Sequence, residues 1–231
     1  MQKKYLFNNQ SSLWGESECI GFGTTDFFVK EIPKKISNKI IIDNHYAHKV
    51  AGFATTYIYL GVFDFNKLLG SLQFGFAMNP ASAKNIVSNT GIYEHLELNR
   101  MWLDDKIKTK YPESRAISYA IKYIKKKHPK IRWIQSFADE RCGGFGIVYQ
   151  ACSFSYYGEH LSEFYEFENK YYHKIALTNK SDTRAAYRYI RENKEKAKKV
   201  NLRQFRYIKF LDKREKKKCL LTEQDYPKHY K

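Results

Sequence analysis

Apolar and polar positions follow two rhythms along this chain. FFVKEI, residues 27–32, is a short apolar run that predicts a strand. Pro33 suits a first helical turn, and Ile36 and Ile40 lie four apart, predicting a helix that ends near DNHYAH. TTYIYLGVFDF and LLGSLQFGFAM, separated by Asn66 and Lys67, alternate apolar with small positions and predict an antiparallel hairpin whose second strand Pro80 stops. In LELNRMWL (96–103), Leu96, Leu98 and Met101 change faces, so the predicted strand is expected to carry a bulge. PESRAISYAIKYIKKKHP is the clearest helix: Ile117, Ala120, Ile121 and Ile124 share one face, Ser114 can cap it, and Lys125–Lys127 suit its negative end. The strand IRWIQSFA leads into SFADERCGGFGIVYQACSF, which leaves it through an acid pair and three glycines into a short helix carrying Tyr149. FSYYGEH and EFYEFENKYYHKIAL predict a second hairpin, while RAAYRYIRENKEKAKK and RQFRYIKFLDKREKKK, both strongly basic, are expected to be helical.

Strand, helix, three strands, helix, strand, short helix, two strands is the order of the GNAT-like acyltransferase fold. The expected class is α+β, a mixed, mostly antiparallel twisted sheet flanked by helices, with a basic helical C-terminal extension. Residues 1–183 are expected to form the catalytic domain, and 184–231 an extension packed on it and contacting nucleic acid. Order alone does not fix function.

Charge changes the picture most. The 231 residues carry 41 Lys and Arg against 24 Asp and Glu, a net +17. Residues 184–218 hold 15 of the cations and only 4 of the acids. Such a field favours a polyanion, nucleic acid before an acidic membrane. The 19 Tyr and 16 Phe serve cores and base stacking alike. Cys19, Cys142, Cys152 and Cys219 have no paired spacing, which predicts reduced thiols in a cytoplasmic protein. No signal-like segment opens the chain, and no run reaches the roughly 20 apolar residues of a membrane span.

Four places carry candidate chemistry. In NHYAH, His45 and His48 are suited to general base or metal-ligand roles, or simply to complementing a helix dipole. In ELNR, strict alternation puts Glu97 with Asn99 and Leu98 with Arg100, unless a bulge intervenes; Arg100 can grip a phosphate or carboxylate, or form an ion pair. Glu113, Ser114 and Arg115 open a helix, as an anion site or an ordinary cap. Asp139, Glu140 and Arg141, with Gly143, Gly144, Gly146 and Tyr149, either line a cleft where central strands splay or form a glycine-rich surface turn.

KEIP, NHY, LGV, NPAS, LELNRMWLDD, ESRAISY, QSFADERCG, VYQACSF, YGEH, RENKEKAK and RQFRYIKFLDK together resemble the Mom family of phage DNA-modification proteins, from about Cys19 to about Lys213. The resemblance implies a GNAT-like enzyme that converts adenine in double-stranded phage DNA to N6-carbamoylmethyladenine, shielding it from restriction in the bacterial host cell. It implicates His48 (with His45 a competitor), Arg100, Ser114 or Ser118, Asp139 and Tyr149; with the helix-start reading, His48, Arg100, Asp139 and Tyr149 are the expected catalytic residues and Ser114, Arg115 and Ser118 the expected donor-binding ones. His48 or Asp139 would be the general base, and Tyr149 would donate a proton to the departing group or hold the substrate.

YPESRAIS lacks the glycines of the R/QxxGxG/A loop that grips acyl-CoA in GNAT proteins. Acetyl-CoA is the first expected donor and glycyl-tRNA the second. Simple acetyl transfer does not give the product's N–CH2 connectivity, so iron held by His45 or His48 with Asp139 is a third element. The adenine must be flipped out, with Phe154, Tyr156, Tyr157, Tyr165, Tyr171 and Tyr172 as stacking candidates. The competing readings are an acetyl or aminoacyl transferase acting on RNA or protein, and a non-catalytic DNA-binding protein. The oligomeric state is open, and a dimer is compatible with the sequence.

Overall fold

A computed structural model describes residues 4–5, 21–46, 56–77, 79–179 and 185–228. Its strands are β1 (Lys4–Tyr5), β2 (Phe22–Thr24), β3 (Phe27–Glu31), β4 (Thr56–Asp64), β5 (Lys67–Gly75), β6 (His95–Leu103), β7 (Trp133–Asp139), β8 (Ser155–Phe167), β9 (Lys170–His173) and β10 (Lys198–Phe210). The helices are α1 (Lys34–Asn44), α2 (Pro112–Lys127), α3 (Ile147–Ala151), α4 (Ile175–Thr178), α5 (Ala185–Glu192) and α6 (Lys213–Lys216). The described strands form one sheet in the order β1-β2-β3-β4-β5-β6-β7-β10-β8-β9. Only β6 and β7 run parallel, joined by the crossover helix α2. Among the described residues no helix is long and apolar enough to cross a membrane.

The expected helix forms because its apolar residues fall on one stripe. Ala116, Ile117, Ala120, Ile121, Tyr123 and Ile124 are buried against Leu96, Leu98, Leu72, Phe74 and Ile134 of the sheet. It starts at Pro112, two residues earlier than expected. Its N-cap is Tyr111 in a left-handed conformation, and the Ser114 hydroxyl donates to the Tyr111 carbonyl at 3.2 Å instead of capping. On the opposite face, α1 packs Ile41 inward, and its buried Ser37 meets Ser71 of β5 at 2.7 Å and accepts from Gln73 at 2.9 Å.

Three expectations about local structure are corrected. The first hairpin turns at Phe65–Asn66, both left-handed, one residue earlier than expected, and its second strand ends at Gly75, well before Pro80. The second hairpin turns at Glu168–Asn169, after a single 13-residue strand β8. The largest correction is RQFRYIKF, which is strand β10, inserted between β7 and β8, and not a helix. Phe205 and Tyr207 are fully buried on the α2 face, whereas Ile208 is buried with Trp133 on the other. Each such burial contributes roughly 1.5–3 kcal/mol, which rewards the two-residue period over the helical one. RAAYRYIRENKEKAKK is helical through α5 and a short 3-10 turn at Lys194–Lys196, after which β10 begins.

Candidate active site

The site is built around a divergence. β6 and β7 share three rungs, His95–Trp133, Leu96–Ile134 and Glu97–Gln135. Both strands then continue, to Leu103 and Asp139, with β6 paired to β5 and β7 to β10 and a gap between them. β6 bulges at Asn99: Gln73 of β5 faces Arg100, while its neighbour Phe74 faces Leu98. Thr56 donates to the Asn99 side-chain oxygen at 3.0 Å, and the Asn99 amide donates to the Phe76 carbonyl at 3.2 Å, which holds the bulge. The extra residue re-aims the strand. Leu96, Leu98, Met101 and Leu103 pack toward α2, so Glu97 and Arg100 share the α1 face.

Glu97 is the centre of that face. The Gln135 amide donates to its carboxylate at 2.9 Å across the last shared rung. Burial raises its carboxyl above the ordinary value, opposed by the Gln135 hydrogen bond and then by Arg100, Asn99 and Arg206. Burial pulls Arg100 below its ordinary value, and the charge of Arg141 adds to this while Tyr46 and Glu97 oppose it. Burial also lowers Arg206, whose guanidinium lies 5.2 Å from the Phe137 ring centre. Phe137 meets His160 edge-on at 5.4 Å. The α1 C-terminus delivers Tyr46, over whose ring Arg141 sits at 5.6 Å.

Asp139 ends β7 on this face, but it is engaged. Its carboxylate accepts from the Arg141 backbone at 3.0 Å and from the Arg141 guanidinium at 2.9 Å and by a second, shorter bond. Arg141 in turn stacks 4.3 Å over Phe164. Glu140 instead ties the turn to β10, accepting from Arg203 through main chain and side chain at 2.7 and 2.8 Å.

The α2 face differs. Tyr149 of α3 packs on Phe154 and Tyr207 with ring centres 5.6 and 5.4 Å away. Tyr207 donates to the Phe145 carbonyl and accepts from Gln150 at 3.0 Å. Gly146, at φ +81°, permits this contact, because a Cβ there would sit 2.3 Å from the Tyr207 ring. Ser118 reaches the Cys152 sulfur at 3.8 Å, and that sulfur reaches the Ser114 carbonyl at 3.2 Å, so both serines lie toward α3. Arg115 stacks over Phe27 at 5.2 Å and donates to Tyr119.

The predicted residues are therefore only partly assembled. Arg100 and Asp139 lie on the α1 face and Tyr149 on the α2 face, with the sheet between Asp139 and Tyr149. His45 is buried with its ring 4.2 Å from Tyr46. His48 lies outside the described residues. Among the described residues no three His, Cys, Asp or Glu side chains gather as a metal ion would require, and Asp139 is held by Arg141. Of the expected stacking residues, Phe154, Tyr156 and Tyr157 are core. Sequence reasoning missed Gln135, Ser136 and Arg206. Their signal was present: polar residues inside apolar strand runs. Gln135 Oε1 and Ser136 Oγ, both fully enclosed, have no hydrogen-bond partner among the described residues, a rarity that marks a place for a ligand or water. A depression of about 390 Å³ lies three strands from the gap, at Gly21, Asp26, Phe28 and Asn66, and holds none of these groups.

The gap and its two faces can be set beside known proteins. Residues 26–228 match the Mom protein family. This chain belongs to that family. It is 42% identical over 218 residues to the protein named methylcarbamoylase mom of Escherichia phage Mu, covering 92% of this chain and 88% of the relative. Among solved structures it is similar to Arabidopsis thaliana NAA60 in complex with acetyl-CoA, with a TM-score of 0.51, 9% identity, and coverage of 80% of this chain and 99% of that one. An N-acetyltransferase from Staphylococcus aureus Mu50 matches with a TM-score of 0.48 at 15% identity, over 81% of this chain and 99% of that one. The Mom-family chain is thus a transferase enzyme, and its fold is of the GNAT type, which the order of its elements predicted.

Proposed function

We propose that this chain modifies adenine in double-stranded DNA, giving N6-carbamoylmethyladenine and protecting phage DNA from restriction in the host cytoplasm. One observation carries the chemistry: Glu97 stands at the last rung before the gap, on the face that holds Arg100, and burial makes it a stronger base than an exposed carboxylate.

The adenine N6 lone pair is conjugated into the ring, so a base must take a proton as the new bond forms. Glu97 does this in place of Asp139, which Arg141 occupies. General base catalysis is worth about 10²–10⁴-fold. The extruded adenine arrives on the α1 face, at a cost of a few kcal/mol in unstacking. Tyr46 and Phe137 offer it aromatic faces among the arginines.

The donor approaches from the α2 face. The main chains of residues 98–103 and 136–139 diverge there and fit an amide-containing acyl arm. The start of α2 fits a pyrophosphate less well, because Pro112 has no N–H and Glu113 opposes an anion. Ser114 and Ser118 would flank the arm. An acyl-CoA bound there would supply an activated two-carbon unit. Tyr149 is assigned the proton that goes to the departing group. Acetyl transfer alone yields an N6 amide, whereas the carbamoylmethyl product joins N6 to a methylene and holds a second nitrogen. A glycyl group holds all the atoms of the product, but attack on its carbonyl gives N6–CO–CH2–NH2, so a rearrangement to N6–CH2–CO–NH2 would have to follow; glycyl-tRNA is the second donor to test.

Nucleoside mass spectrometry of DNA from cells expressing the chain tests the reading. Modified adenine is expected. Unmodified adenine would refute it: beside retained DNA binding it favours a non-catalytic DNA-binding protein, and without DNA binding an acetyl or aminoacyl transferase acting on RNA or protein. Carbon-labelled acetyl-CoA or glycyl-tRNA, supplied to purified protein and DNA, identifies the donor.

A further inference from the structure

Ile134, Ser136 and Ala138 are the β7 side chains on the α2 face, because the pairing of β7 with β10 keeps one register from Trp133 to Asp139. Ile134 lies on a rung that β6 and β7 share, and Ser136 is the first residue beyond the last such rung, Glu97–Gln135. Its partner across the sheet on one side is Tyr207 of β10; on the other side β6 has by then kept only its pairing with β5. Ser136 is fully buried, and its Oγ has no hydrogen-bond partner among the described residues. A hydroxyl left in that state forfeits the hydrogen bonds that water would give it. Tyr207 does not spend its proton on Ser136, since its hydroxyl donates to the Phe145 carbonyl and accepts from Gln150. Alanine in this place would carry no such penalty, so the hydroxyl answers to a ligand.

Which ligand follows from where the serine stands. The preceding residue, Gln135, holds Glu97 at 2.9 Å on the opposite face. Tyr207, across the sheet, stacks 5.4 Å from Tyr149. Ser136 is thus set between the base and the aromatic cluster, at the reacting end of a donor and not along its carrier. The two-carbon unit has a carbonyl in either donor, as a thioester in acetyl-CoA and an ester in glycyl-tRNA, and a carbonyl oxygen accepts a hydroxyl proton.

We propose that the Ser136 hydroxyl donates a hydrogen bond to the carbonyl oxygen of the donor's activated two-carbon unit. This rests on the reading in which the donor enters from the α2 face, and it names the group that meets the donor's reacting end. In an enclosed site with water excluded, one such bond is stronger than at a surface and fixes the carbonyl beside the boundary where Glu97 stands. The hydroxyl keeps its proton throughout, so the roles of Glu97 and Tyr149 are unchanged.

Ser136→Ala tests this with two measurements that a merely structural serine would not move in opposite directions. Without ligand, the thermal midpoint of the variant should rise by roughly 2–4 °C, because an unpaired buried hydroxyl is gone. Affinity for the acylated carrier should fall about 5- to 30-fold, while the free carrier, which lacks the carbonyl, binds as it does to the wild type. One arm compares acetyl-CoA with coenzyme A, the other glycyl-tRNA with uncharged tRNA, and the arm that shows the difference identifies the carrier. A variant that melts lower or fails to fold shows that the hydroxyl serves the fold, through an enclosed water for example, and overturns the assignment. So does an affinity that is unchanged for both members of each pair, or lost equally for both. A wild type that binds neither pair strikes the donor reading itself, and the assignment with it.

Discussion

The two faces of the sheet at the β6–β7 gap are made of different chemistry. The α2 face is aromatic and packed: Tyr149, Tyr156 and Tyr207 stack together, and burial pushes the Tyr156 phenol up to about 12, keeping it protonated. The α1 face is ionic and partly open: Glu97, Arg100, Asp139, Arg141 and Arg206 share one surface with Phe137 and the exposed Tyr46. Strand alternation keeps the two sets apart, and the divergence of β6 from β7 gives them a common opening. A sheet arranged this way can take a thin apolar donor from one side and a charged polymer from the other, with a single carboxylate at the boundary.

Four substitutions probe that contrast, in order of expected effect. Glu97→Gln keeps the shape but removes the base, and should lower the single-turnover rate of adenine modification about 10²–10⁴-fold with DNA affinity preserved. Loss of DNA binding without loss of rate per bound complex would move Glu97 out of the chemistry. Gly146→Ala strikes the other face. Its left-handed backbone and the 2.3 Å approach to the fully buried Tyr207 ring leave no room. Urea unfolding should show a loss of about 1–3 kcal/mol, and an unchanged midpoint would mean that α3 is not held as described.

Gln135→Leu is subtler. The hydrogen bond from Gln135 lowers the Glu97 carboxyl against its burial. Removing it should raise that carboxyl further, leaving less of the base ionised at a given pH. The acid limb of the kcat/KM profile should therefore move to higher pH, and an unmoved limb would separate the titrating base from Glu97. Glu140→Gln has the smallest effect. Hydrogen bonds from Arg203 hold the Glu140 carboxyl below its usual value, so its contribution is full above the unfolded carboxylate range and is lost as pH falls through the depressed value. Because the pair is a third exposed, about 0.2–1 kcal/mol is expected, as a difference between the two proteins that disappears in acid denaturation below that range.

Much of the frame was legible in the sequence. α2 and the β4–β5 hairpin declare themselves through periodicity, because one face of each is buried. The bulge in LELNRMWL was legible too, since no regular strand keeps Leu96, Leu98 and Met101 on one side. What that bulge does to Glu97 and Arg100 was not, because it depends on which neighbour takes up the extra residue. β10 was misread because Arg203, Arg206 and Lys209 look like a solvated helix face. Within the sheet, Arg206 instead lies over Phe137, while Arg203 pairs with Glu140 and Lys209 donates to the Cys152 carbonyl. Asp139 looked like a free acid because the conformation of the next two residues, which brings Arg141 back onto it, carries no sequence signature.

The central claim is that donor and DNA meet this gap from opposite faces. Hydrogen exchange measured by mass spectrometry, with coenzyme A alone and with duplex DNA alone, tests it most directly. Coenzyme A should slow exchange at 112–118 and 147–150, and DNA at 42–46 and 139–143, each leaving the other's segments unchanged. Coincident footprints, or coenzyme A protecting the arginine face, would contradict it.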